Sequence, residues 1–124
     1  MTVTLNHTIV PARDNDAAAD FLAGIMGLRR LPPDGIDGKF APVEVNDSLT
    51  LQFMTAPEAQ PHHLAFDVAP AEFDQILTCL RAAGVAYGSN PREPENGRID
   101  HPLCPRGLFF RDDTGNLYEV MAPA

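Results

Sequence analysis

Four side chains at matched places along this 124-residue chain have the chemistry of a metal site: His7, Gln52, His63 and Glu119. Two imidazoles and a carboxylate converging on one cavity make a facial set for a divalent ion, and an amide oxygen can serve as a fourth ligand. Taken singly, each has a plainer reading. A histidine in a strand is more often a hydrogen-bonded structural residue, and a glutamine such as Gln52 is often an ordinary polar lining residue. Glu119 is harder to dismiss, because it lies between Tyr118 and Val120. Burying an unpaired charge there costs several kcal/mol, so the carboxylate requires a metal or an arginine. Mixed nitrogen and oxygen donors leave Zn, Ni, Co, Mn and Fe all open.

Strand periodicity is what brings the four together. Side chains alternate between the two faces of a strand, so His7 shares a face with Leu5 and Ile9, Gln52 with Thr50 and Met54, His63 with Ala65 and Asp67, and Glu119 with Leu117 and Met121. The opposite sets, Leu51/Phe53 and Leu64/Phe66/Val68, suit a face covered by helices. Alternation sends His62, the neighbour of His63, to that covered face, where it is expected to be hydrogen-bonded or partly exposed.

The elements that must position these residues follow from pattern. Val3–Val10 is expected to be a strand closed by Pro11, and Asp14 and Asp16 offer N-caps for a helix to about Met26. Ala18, Phe21, Leu22 and Ile25 form its apolar stripe, and Gly27 can end it in a left-handed conformation. After the connection Leu31–Gly38 come strands at Phe40–Val45 and Leu49–Thr55, joined through Asn46-Asp47-Ser48. The second half reads as strand His63–Val68, helix Ala71–Ala83 with stripe Phe73, Ile76, Leu77 and Leu80, and Gly84 at its end. A short strand at Val85–Tyr87, a polar loop Gly88–Arg106, a strand Gly107–Arg111, a turn Asp112–Gly115 and a strand Asn116–Met121 complete it. His7 and His63 stand 56 residues apart, and aligning the halves places Gln52 over Glu119. The chain reads as two copies of one unit.

The loop Gly88–Arg106 is long enough to be a lid or binding loop. On that reading His101 moves a proton, or Arg98, Arg106 or His101 holds an anionic group; on the plainer one the loop is a solvated, proline-pinned crossover. Cys79 is read as helix packing and Cys104 as an ordinary loop thiol. Nothing sets the direction of Tyr87.

Composition removes several classes. Nine Lys and Arg against 17 Asp and Glu leave a formal charge of −8. That balance argues against nucleic acid or an anionic membrane as partner, since both need clustered positive charge. Two cysteines make no disulfide scaffold, no apolar run approaches the roughly 20 residues that span a bilayer, and no signal peptide is visible. A cytoplasmic protein acting on a small molecule is expected.

The segments His7-Thr-Ile-Val10, Met26-Gly-Leu28, His62-His-Leu-Ala-Phe-Asp-Val68 and Gly107-Leu-Phe-Phe-Arg-Asp-Asp-Thr-Gly-Asn-Leu-Tyr-Glu119 resemble the vicinal oxygen chelate superfamily. It includes glyoxalase I, fosfomycin-modifying thiol transferases, methylmalonyl-CoA epimerase, extradiol dioxygenases and bleomycin-binding proteins. Asp113 stands where the superfamily's closing motif usually has proline, a departure that affects a turn and not the ligand set. The resemblance implies an α+β fold of two βαβββ modules, about 1–56 and 61–124, forming one domain with a cup-shaped mixed sheet and helices outside. It implies a divalent metal on His7, His63 and Glu119, with Gln52 as a conditional fourth ligand. The favoured activity is of the isomerase, lyase or epimerase type, with Glu119 as base. An extradiol dioxygenase holding Fe(II) is the other enzymatic form, for which His101 is the loop candidate for the extra base. In the thiol-transfer form Arg98 and Arg106 would face an anionic substrate. The alternative is a metal-free binding protein of the bleomycin-resistance type. The resemblance also implies a homodimer, with the cup built within one chain or from modules of two.

Overall fold

The computed structural model describes residues 2–123, whose contacts group into two compact units, Met1–Pro61 and His62–Ala124. The first unit runs β1 (His7–Ala12), α1 (Asn15–Met26), β2 (Arg29–Arg30), β3 (Phe40–Glu44) and β4 (Thr50–Thr55). Its sheet has the order β1-β4-β3-β2, with β1 parallel to β4 and the other pairs antiparallel. The second unit runs β5 (His63–Asp67), α2 (Pro70–Ala83), β6 (Arg106–Arg111) and β7 (Leu117–Ala122). Here the order is β5-β7-β6, with β5 parallel to β7. Each unit is therefore a strand, a helix and further strands, in which the last strand returns beside the first. This is the α+β, duplicated architecture that the sequence implies.

Local chemistry sets the helix ends. The Asp14 side chain accepts the Asp16 N–H at 3.1 Å, satisfying one of the free donors of the first turn of α1. Gly27 then takes φ 67°, ψ 31° and sends its N–H back to the Ala23 carbonyl. In α2 proline opens the helix at Pro70, where its missing N–H costs nothing, and Gly84 closes it at φ 68°. α1 packs on β3 and β4 and buries Ala18, Ala19, Leu22, Ala23 and Ile25. α2 packs on β7 and buries Phe73, Ile76, Leu77 and Leu80. Full burial of such large apolar side chains stabilises by roughly 1.5–3 kcal/mol each. Leu51 and Phe53 on β4, and Tyr118 and Val120 on β7, complete these two cores.

The structure departs from the sequence reading in three places. β1 begins at His7, four residues later than expected, and continues through Pro11 to Ala12. A proline fits there because β1 lies at one end of its sheet, where a missing N–H removes no ladder bond that both neighbours need. Arg29–Arg30 forms a strand that the periodicity could not show, being only two residues long. Arg30 anchors it with two ion pairs: Nη2 reaches Asp16 at 2.9 Å and Nε reaches Asp20 at 2.7 Å, both on α1. The strand expected at Val85–Tyr87 does not form. A single bridge, Gly88 to Phe109, stands in its place beside β6. Tyr87 is turned instead toward α2, where its hydroxyl accepts from Arg81 Nε at 3.1 Å.

Among the described residues no helix is long and apolar enough to cross a membrane.

Candidate metal centre

The two units present their donor residues in the same register. In the first, His7 pairs with Thr50 and Ile9 with Gln52, so Gln52 lies two positions beyond His7 on a parallel neighbour. In the second, His63 pairs with Leu117 and Ala65 with Glu119, so Glu119 lies two positions beyond His63. A shift of two keeps side chains on one face, and adjacent strands stand about 4.8 Å apart. Each unit thus places an imidazole beside an oxygen donor, on the face away from its helix.

In the second unit the pair is in contact. His63 Nε2 and Glu119 Oε1 are 2.9 Å apart, with the His63 side chain 50% and the Glu119 side chain 12% exposed. The other carboxylate oxygen, Oε2, is 2.6 Å from His101 Nε2. Glu119 therefore sits between two imidazoles, and among the described residues no arginine pairs with it. The three form a row, each histidine on its own oxygen. Among the described residues no three His, Cys, Asp or Glu side chains enclose a common point in the manner of a metal cage.

In the first unit His7 and Gln52 line a cavity of about 460 Å³ together with Asn6, Leu31, Asp34, Pro42 and Thr50. His7 Nδ1 lies 2.8 Å from Asn6 Oδ1, which leaves Nε2 as its other donor atom. Gln52 Nε2 donates to Asp34 Oδ2 at 3.3 Å. A carboxylate accepts only, so Asp34 holds the amide with its nitrogen inward to Asp34 and its oxygen, Oε1, available as a ligand. Asp34 was not legible as a site residue. The signal was the stiff Pro32-Pro33-Asp34-Gly35 turn, which fixes where its side chain goes.

The donor chemistry fits a divalent ion. Two ligands bound in adjacent positions at about 2.1 Å each stand about 3 Å apart, and His63 Nε2 and Glu119 Oε1 already have that separation. The donor pair of this kind is His63 with Glu119 in the second unit, and the matching pair is His7 with Gln52 in the first.

The remaining candidates have other partners. His62 is exposed and takes part through its backbone: its N–H donates to Asn116 Oδ1 at 2.7 Å and its carbonyl accepts from Leu117. Arg98 pairs with Asp100, which holds the Asp100 carboxyl below the ordinary aspartate range. Arg106 Nη1 pairs with Asp74 at 2.7 Å and its guanidinium lies 4.9 Å over the Phe73 ring. Arg106 thus ties the start of β6 to α2, whereas the Arg98 pair stays within the loop. The Cys104 thiol donates to the Arg106 carbonyl at 3.1 Å, and burial pushes its pKa up.

The turn before β7 is a buried polar network that the sequence did not single out. Asp112 Oδ1 accepts the N–H groups of Thr114, Gly115 and Asn116, each at 3.0 Å. Oδ2 accepts from Asn116 Nδ2 at 3.0 Å and from the Tyr118 hydroxyl at 2.8 Å. Asn116 in turn holds His62, so this network sets the register of β5 against β7 and hence of His63 against Glu119.

The duplicated strand–helix–strand unit, with a histidine and an oxygen donor in the same register in each copy, defines a class of small two-module proteins. Among solved structures, the chain is similar to one described as oxidase ChaP-H2, with 39% identity, 100% of this chain and 96% of that one covered, and a TM-score of 0.89. It is similar also to oxidase ChaP-H1, with 35% identity, 99% and 98% covered, and a TM-score of 0.86. The fosfomycin resistance protein FosX from Listeria monocytogenes shares the fold, with 22% identity, 100% and 96% covered, and a TM-score of 0.69. No protein-family model and no curated protein sequence matches the chain. The chain belongs to the vicinal oxygen chelate superfamily.

Proposed function

We propose that this chain is a metal-dependent enzyme that acts on a small molecule carrying two neighbouring oxygens, with His7, His63 and Glu119 as ligands and Gln52 as the fourth. The observation that carries the reading is the repeated register, which sets an imidazole next to an oxygen donor in both units. In this reading the two modules act as one domain and both donor pairs serve a single ion, within one chain or across a homodimer. A bound divalent ion would supply Lewis acidity to the two substrate oxygens. In the isomerase, lyase or epimerase form Glu119, whose side chain is 12% exposed, is the candidate base, acting through the oxygen that His101 does not hold. The cavity of the first unit, with Asp34 orienting Gln52, forms the polar wall against which the substrate rests.

Two similar structures above 30% identity are described as oxidases, which favours oxidative chemistry. The second reading, isomerase, lyase or epimerase chemistry, is favoured by Gln52, whose free amide oxygen offers the extra ligand that those superfamily members use.

Elemental mass spectrometry of untagged protein tests the proposal. About one divalent ion per chain is expected, lost in His7→Ala, His63→Ala and Glu119→Gln. Iron supports the oxidative form, and Ni, Co or Zn the other. A chain that takes up no ion after reconstitution with each overturns the metal reading in favour of a metal-free binding protein. If metal binding returns when His7→Ala and His63→Ala chains are unfolded and refolded together, the ion is shared across a dimer.

A further inference from the structure

The two oxygens of Glu119 are not equivalent. Oε1 faces His63 and Oε2 faces His101, at 2.9 and 2.6 Å. The other ring nitrogen of His101, Nδ1, lies 3.0 Å from the Leu103 backbone nitrogen, whose N–H it accepts. A ring nitrogen that accepts carries no proton, so in the neutral imidazole the proton is on Nε2 and is donated to Glu119 Oε2. The ring has little freedom to do otherwise. Its side chain is 2% exposed and stacks on Phe109, with centroids 5.4 Å apart and planes inclined by 10°. The floor beneath it is Gly107 on β6, where a Cβ would stand 2.6 Å from the His101 Cβ and 2.8 Å from its Cγ. The Gly107 N–H also holds the loop, donating to the Ile99 carbonyl at 3.0 Å.

We propose that His101 is a positioning residue that makes Glu119 a one-oxygen ligand. This rests on the metal reading above and specifies how its carboxylate is used. With Oε2 engaged by an N–H whose tautomer the Leu103 backbone sets, only Oε1 is free for the ion. The consequence lies in the coordination count. Six-coordinate ions holding two histidines, one glutamine and a one-oxygen glutamate keep two positions for a substrate's neighbouring oxygens. A glutamate bound through both oxygens would take one of them. His101 therefore reserves a substrate position without touching metal or substrate.

Cobalt(II) is the probe. The chain is loaded with it, and affinity by competition and the visible ligand-field spectrum are compared for wild type, His101→Phe and His101→Gln. Phenylalanine keeps the stack on Phe109 and removes the donor, whereas the glutamine amide N–H reaches toward the same oxygen. Loss of an outer partner of a ligand typically weakens binding by about 10–100-fold. We expect that loss in His101→Phe, together with a changed visible spectrum as the second carboxylate oxygen takes the place of a solvent ligand, and recovery of both in His101→Gln. Unchanged affinity and spectrum in His101→Phe overturn the inference alone. A wild-type chain that binds neither cobalt nor any other of the candidate ions overturns the metal reading, and the inference with it. Independently of any variant, nitrogen-15 NMR of the metal-free wild type must show His101 protonated on Nε2; the opposite tautomer overturns the proposal.

Discussion

Asp112→Ala isolates what holds β7 beside β5. The aspartate accepts five hydrogen bonds, three from backbone N–H groups and two from side chains. Thr114 and Gly115 are partly exposed, so water replaces the carboxylate there at small cost. Tyr118 and Asn116 are fully buried, and the Tyr118 hydroxyl loses its 2.8 Å acceptor. Leaving a buried polar group without its partner costs about 1–3 kcal/mol, more where the partner was charged. With the lost turn bonds the expected destabilisation is about 3–6 kcal/mol, a large share of the 5–15 kcal/mol typical of a domain. Tyr118→Phe alone is expected to cost about 1–2 kcal/mol. In the Asp112→Ala background the same change should cost little, because the hydroxyl has already lost its carboxylate acceptor and keeps only Asn116. That gives a coupling of at least about 1 kcal/mol in the double-mutant cycle. The chain has no tryptophan, so urea unfolding is followed by far-ultraviolet circular dichroism. A loss below about 1 kcal/mol for Asp112→Ala, or additive effects of the two changes, refutes the reasoning.

Three further outcomes are expected. Gly107→Ala places a methyl against the His101 ring, costs about 1–3 kcal/mol in thermal or urea unfolding, and weakens cobalt binding along with it. Burial and the Asp112 carboxylate push the Tyr118 pKa far above its ordinary 10.0, so the folded chain keeps a proton that the unfolded chain releases. Stability is therefore undiminished by this group below pH 10 and falls above it, by about 1.4 kcal/mol per pH unit; Tyr118→Phe removes that part of the alkaline slope. Because the Cys104 pKa is raised, its alkylation at pH 8.5 should lag behind that of an unstructured cysteine peptide, a difference read by peptide mass spectrometry.

The helices, their glycine ends and most strands were legible because each is governed by its own residues. An apolar stripe every three to four positions and a capping aspartate suffice for α1, and strict alternation places Gln52 and Glu119 opposite their buried neighbours. The same alternation, applied to two copies of one unit, puts Gln52 on the face of His7 and Glu119 on the face of His63, as the ladders do. Where local rules ran out, the reading erred. Arg29–Arg30 is a strand because its ladder to Glu44 and Val43 and its ion pairs to α1 hold it, and two residues have no period. Val85–Tyr87 has the composition of a strand and is not one: the Tyr87 carbonyl accepts from Gly97 within the loop, and pairing with β6 occurs only at Gly88.

His101 marks the boundary most clearly. Sequence placed it in a polar loop, where a histidine could as well face water. Tertiary structure buried it against Phe109 and gave it Glu119, through a crossover that closes back onto β6. Alternation acts between neighbours in the chain, and so composition and spacing determined which residues share a face. The company that a loop residue keeps depends on how the loop closes, on a glycine with no side chain at Gly107, and on an acceptor reached from 18 positions away. Those contacts carry no period, and only the folded chain decides them.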